Sequence, residues 1–104
     1  MSPPEAEAPK VVHDGANTVR ISGDLTFETV PDAIDAVADR LSATRALTVD
    51  LAGVGRSDSA AVALLIEWYR LARRDGGSIR FVNMPFRMHE IARVSGVESV
   101  LSID

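Results

Sequence analysis

The chain has 104 residues, 46% hydrophobic and 25% charged, which is enough for one compact domain and too few for two. It contains no cysteine, so a disulfide scaffold, a thiol nucleophile and thiolate metal sites are excluded. The formal charge of −4 is uneven: residues 1–53 hold four basic and nine acidic side chains, residues 54–104 seven basic and six acidic, and neither half clusters the positive charge that would neutralise several phosphates of a nucleic acid.

Residues 1–9, Met-Ser-Pro-Pro-Glu-Ala-Glu-Ala-Pro, have no apolar period and are expected to be a flexible tail ahead of a single domain over 10–104. Two short strands are expected at 10–14 and 18–22, joined as a hairpin by Asp14-Gly15-Ala16-Asn17, with Gly23-Asp24 ending the second. Val30, Ile34, Val37, Ala38 and Leu41 recur at helical spacing and predict a helix over 29–41. Thr29 with Asp32 resembles a capping box, and Pro31 suits the first turn. Leu47, Val49 and Leu51 alternate and predict a strand over 46–52.

A link over 53–58, Gly-Val-Gly-Arg-Ser-Asp, then leads to a helix over 59–75 that Gly76-Gly77 stops. A strand at 79–82, a helix at 84–95 and a last short strand at 100–104 complete the order β-β-α-β-α-β-α-β. Strands alternating with helices imply an α/β fold, a mixed sheet with helices packed on it.

Ser57-Asp58-Ser59 and the helix after it carry the chemistry. Ser59 is placed to cap the helix, accepting a bond from a free backbone N–H. A helix N-terminus also favours negative charge, so a phosphate on Ser59 would be tolerated there and could abolish docking of a partner that buries this corner. On a helical wheel, Ala61, Leu65, Trp68 and Ala72 face the core. Val62, Ile66, Tyr69, Arg70 and Arg73 then form an apolar strip bordered by arginines, below Ser59. Tyrosine and arginine are common anchors of protein interfaces. The ordinary reading of the same residues is a solvated helix face with one capping serine.

The run Val49-Asp50-Leu51-Ala52-Gly53-Val54, followed by Ser57-Asp58-Ser59-Ala60-Ala61-Val62-Ala63-Leu64-Leu65, resembles the signature of STAS domains, the anti-anti-sigma fold. The resemblance continues through Gly76-Gly77-Ser78-Ile79-Arg80-Phe81-Val82-Asn83 and Ile91-Ala92-Arg93-Val94-Ser95-Gly96-Val97, covering roughly residues 10–104. It implies that Ser59 is the regulatory serine position and that the helix behind it belongs to the partner surface. One departure stands out: the family usually has glycine at one or both positions after that serine, where this chain has Ala60 and Ala61.

Among STAS proteins the chain is most similar to the short MlaB-like subunits of Mla-type phospholipid transporters. That resemblance implies a non-enzymatic subunit in a Gram-negative bacterium, cytoplasmic and held at the inner membrane by its partner. The partner would be the transporter's ABC ATPase, in a system that maintains outer-membrane lipid asymmetry. The alternative it carries is an anti-sigma factor antagonist, with an anti-sigma factor kinase as partner and Ser59 as the phosphorylated residue.

Other constellations are weaker. The only lysine is Lys10, and no Gly-Lys-Ser/Thr is present, so nucleotide hydrolysis by a P-loop is excluded. His13 and His89 lack partners at metal-ligand spacing, Ser59 has no Gly-x-Ser-x-Gly elbow around it, and Asp32 with Asp35 is a surface spacing. Met84, Phe86 and Met88 are expected to edge the core or a contact surface, the core being the preferred reading. Neither a metal nor a cofactor is expected. No run approaches the ~18 apolar residues of a membrane span, and no basic segment followed by an apolar core marks a secretory signal.

Overall fold

The computed structural model describes residues 7–15 and 17–101. Its elements are β1 (Lys10–His13), β2 (Thr18–Leu25), α1 (Val30–Ala43), β3 (Ala46–Ser57), α2 (Ser59–Arg74), β4 (Ser78–Val82), α3 (Phe86–Val94) and α4 (Glu98–Leu101). The four strands form one sheet in the order β1-β2-β3-β4. β1 and β2 are antiparallel, while β2 with β3 and β3 with β4 are parallel.

Period-two alternation sends Val19, Ile21, Leu47, Val49, Leu51, Ile79 and Phe81 to one face, where all are buried. The helices pack there through Ala33, Val37 and Leu41 of α1, Ala61, Leu64, Leu65, Trp68 and Ala72 of α2, and Met88 and Ala92 of α3. The Trp68 indole donates to the Ile34 carbonyl at 3.2 Å, so the largest core side chain also ties α2 to α1. The opposite face carries Arg20, Thr48, Asp50, Ala52, Arg80 and Val82, all half-buried or exposed.

Several boundaries differ from the sequence expectation. β2 does not end at Gly23-Asp24, and residues 53–57 are not a link. Gly23 pairs with Val54 and Leu25 with Ser57, so both strands run on, with register shifts absorbing the irregular stretch. Gly53 and Gly55 read as loop residues because glycine usually breaks strands, but here they permit close packing. A Cβ at Gly55 would stand 2.9 Å from an Asp24 carboxylate oxygen.

Residues 7–9, expected to be part of a flexible tail, are pinned to the end of β2. The Asp24 N–H donates to the Glu7 carbonyl and the Glu7 N–H to the Asp24 carboxylate, each at 2.9 Å. Gly23, with φ of +89°, lets them close in: a Cβ there would lie 2.5 Å from the Ala8 carbonyl oxygen. The remainder of the expected tail, residues 1–6, lies outside the described residues.

The expected last strand is not formed where it is described. Val100 and Leu101 belong to the short helix α4, which turns Leu101 into the core with no exposure, and 102–104 lie outside the described residues. The Thr29 capping box is also absent. The Thr29 hydroxyl turns back to donate to the Asp24 carbonyl at 2.6 Å and to accept from the Thr26 N–H at 2.9 Å. It therefore tightens the β2–α1 connection instead of capping α1, whose N-cap has no side-chain bond. Ile34, placed on the buried stripe of α1, is 36% exposed.

Candidate functional site

The head of α2 is built where the C-terminal ends of parallel strands deliver their connections, the usual place for function in sheets of this kind. β3 ends at Ser57 and α2 begins at Ser59, leaving Asp58 between them. Asp58, not Ser59, is the N-cap: its backbone is extended and one carboxylate oxygen accepts from the Ala60 N–H at 2.9 Å. Its other oxygen accepts from the Phe27 N–H at 3.2 Å, tying the β2–α1 connection to the helix start. The serine expected as the cap is thereby displaced to the first helical position, with an exposed side chain. The aspartate wins because its two carboxylate oxygens satisfy two N–H donors at once.

Ser57, the other motif neighbour, is 5% exposed and its hydroxyl has no hydrogen-bond partner among the described residues. Its carbonyl accepts from the Arg87 Nε of α3 at 3.1 Å. Beneath this corner lies Asp24, also 5% exposed. Its carboxylate accepts the Arg56 N–H and the Glu7 N–H, each at 2.9 Å. Those two backbone donors, Arg56 first, hold its acidity stronger than that of an ordinary aspartate. Nothing in the sequence pattern marked Asp24 beyond its place in a turn signal. Its role depends on three segments meeting, which a linear pattern does not display.

Along α2 the expected partner strip is only partly on the surface. Val62 is 3% exposed and packs in the core, which corrects its assignment to the strip. It sits at the edge of the buried arc, and α2 is embedded deeply enough for that edge to be covered. Ile66 and Tyr69 are half-buried and lean on the core, whereas Arg70 and Arg73 are exposed. The Arg73 guanidinium lies 5.8 Å from the centre of the Tyr69 ring, a cation–π distance. Arg70 faces Glu67 at 3.8 Å. Of the expected strip, the exposed residues are therefore Ser59, Arg70 and Arg73, with Ile66 and Tyr69 only half-buried.

The remaining candidates do not converge. Among the described residues no three His, Asp or Glu side chains could hold a metal. His13 is on β1, and His89 on α3 faces Glu98 at 3.8 Å. Met84 is half-buried against the core and Met88 is fully buried, but Phe86 is 79% exposed, which goes against the core and leaves the other expectation, a contact surface. No helix of the described residues is long and apolar enough to cross a membrane.

Residues 10–102 match the family described as the MlaB-type STAS domain. The chain belongs to the STAS family. Solved structures share the fold. An anti-sigma factor antagonist from Mycobacterium paratuberculosis superposes with a TM-score of 0.74 at 21% identity, over 99% of this chain and 89% of that one. The anti-sigma factor antagonist SpoIIAA in its unphosphorylated form gives 0.71 at 17% identity, over 93% and 88%. The Bacillus SpoIIAA in its phosphorylated form gives 0.68 at 18%, over 93% and 91%. The comparison with curated proteins gave no match. The STAS family comprises regulatory and binding modules rather than enzymes.

Proposed function

We propose that this STAS protein is a non-enzymatic subunit of a Mla-type phospholipid ABC transporter. It docks through α2 on the cytoplasmic ATPase and supports that protein's assembly and activity, on the cytoplasmic side of the inner membrane. The observation that carries this reading is the match of residues 10–102 to the MlaB-type STAS domain. The exposed run Ser59, Arg70 and Arg73, with the half-buried edges of Ile66 and Tyr69, supplies a face of the right kind. The partner would supply the P-loop that this chain lacks. Co-purification with the ATPase tests it: the expected result is a stable complex with raised ATP hydrolysis. No complex, together with a stable complex with a kinase-type anti-sigma factor, would reverse the reading.

One observation favours a second reading, an anti-sigma factor antagonist switched at Ser59. The Ser59 side chain is exposed at the first position of α2, where the helix dipole favours a phosphate. The similar SpoIIAA fold is known in both unphosphorylated and phosphorylated forms. Intact-mass measurement of protein from its native host distinguishes the two. Unmodified Ser59 under all growth conditions goes against the switch.

A further inference from the structure

Two phenylalanines stand in solvent beside the head of α2: Phe27 is 74% and Phe86 79% exposed. A single exposed apolar residue is ordinary. These two are joined to the same short segment. The Phe27 N–H is bound by the Asp58 carboxylate, and Phe86 precedes Arg87, whose guanidinium is bound to the Ser57 carbonyl. Phe27 follows β2 and Phe86 follows β4, the two strands that flank β3 in the sheet. Ser57, Asp58 and Ser59 thus have one phenylalanine-bearing connection on either side.

Both connections are held by ordered backbone. Thr26 accepts from Val30 N–H at 2.9 Å and donates to the Thr29 hydroxyl, and the Pro85 carbonyl accepts from His89 N–H at 3.0 Å. An aromatic ring presented on ordered backbone loses little freedom when it is buried by a partner, which is what an interface anchor requires. The charges around the pair are also informative. Arg56 and Arg87 are exposed, Arg56 near the buried Asp24 carboxylate and Arg87 bonded through Nε to the Ser57 carbonyl, so the corner presents cationic side chains, while both Asp58 oxygens are already occupied.

We infer that Phe27 and Phe86 are twin anchors that enter apolar pockets on the docked ATPase, with carboxylates around those pockets facing Arg56 and Arg87. This rests on the function proposed above and extends its docking face from the side of α2 to its head. A protein fits better than an anionic bilayer, because the chain carries a net charge of −4 and exposes Glu28 and Asp32 at the start of α1.

The test is calorimetric titration of the full chain with the purified ATPase subunit of the Mla-type transporter from the same genome. Phe27→Ser and Phe86→Ser are each expected to weaken binding about tenfold or more, with unchanged thermal melting. Val94→Ser, which removes an equally exposed side chain at the far end of α3, is expected to stay within about twofold. Tight binding by the wild type that both phenylalanine variants retain would overturn the anchors and leave the function standing. No binding by the wild type would overturn both. Flotation of the wild type, but not the variants, with phosphatidylcholine–phosphatidylglycerol vesicles would assign the rings to a lipid surface and overturn the protein partner.

Discussion

Asp58 holds the Phe27 N–H at 3.2 Å with one carboxylate oxygen and the Ala60 N–H at 2.9 Å with the other. One side chain therefore both starts α2 and fixes the connection that precedes α1. Asp58→Ala is expected to cost about 1–2 kcal/mol, as loss of a helix cap does, with a further contribution from the freed Phe27 N–H. Ser59→Ala should change stability by less than about 0.5 kcal/mol, because its side chain is exposed and is not the cap. Urea denaturation of the two variants side by side checks the assignment. A larger loss for Ser59→Ala would restore the serine as cap.

Arg70 and Val62 separate surface from core on the same helix. Arg70→Glu is expected to leave stability within about 0.5 kcal/mol, since its contact with Glu67 is a 3.8 Å surface pair. It should weaken the proposed ATPase complex by about tenfold and make the remaining affinity less sensitive to salt. Val62→Asp should instead unfold or severely destabilise the chain, having introduced a buried charge. Ile66→Asp, at a half-buried site, should do some of each. Affinity and melting temperature measured on the same samples distinguish these outcomes.

Trp68 is the only tryptophan and is fully buried. Trp68→Phe removes its bond to the Ile34 carbonyl and leaves unfilled volume between α1 and α2. A loss of about 1–3 kcal/mol is expected, read from circular dichroism because the substitution removes the fluorophore.

Asp24 predicts an acid dependence. Its folded-state acidity is strengthened by the Arg56 and Glu7 N–H groups, so the unfolded chain binds its proton more readily. The stability this carboxylate contributes is present above its ordinary value of 3.8 and is lost as pH falls from there through the lower folded value. Asp24→Asn should flatten the fall in urea midpoint as pH drops below about 4. A variant whose midpoint falls as steeply as the wild type would show that other carboxylates, such as Asp50 with its Ala52 and Asn83 partners, dominate.

The regular parts of the fold were legible because they are local. The apolar alternation of Leu47, Val49 and Leu51 places β3. The Gly76-Gly77 pair stops α2, where the Gly77 N–H bonds the Ala72 carbonyl at 2.9 Å. The departures are all tertiary. Gly53 and Gly55 read as a loop, yet pairing with β2 draws them into the strand. Val100 and Leu101 read as a strand from their composition, yet they lie in α4, which buries Leu101 in the core. At the candidate site, Ser59 was legible as a helix-start serine. The competition it loses to Asp58 was not, because the deciding second bond comes from Phe27, distant in sequence.

The length of β3 has one more consequence. β4 accompanies it only over residues 46–50, so the stretch up to Ser57 has a strand neighbour on the β2 side alone. Such a bare margin invites a strand from another molecule to add on. Here side chains occupy some of its polar groups first: the Asp50 carboxylate takes the Ala52 N–H and the Arg87 guanidinium takes the Ser57 carbonyl. The register shifts against β2 also break the flatness that an incoming strand needs. The extension that delivers Ser59 to the surface therefore offers an incoming strand fewer free polar groups and a less regular edge than a flat strand would.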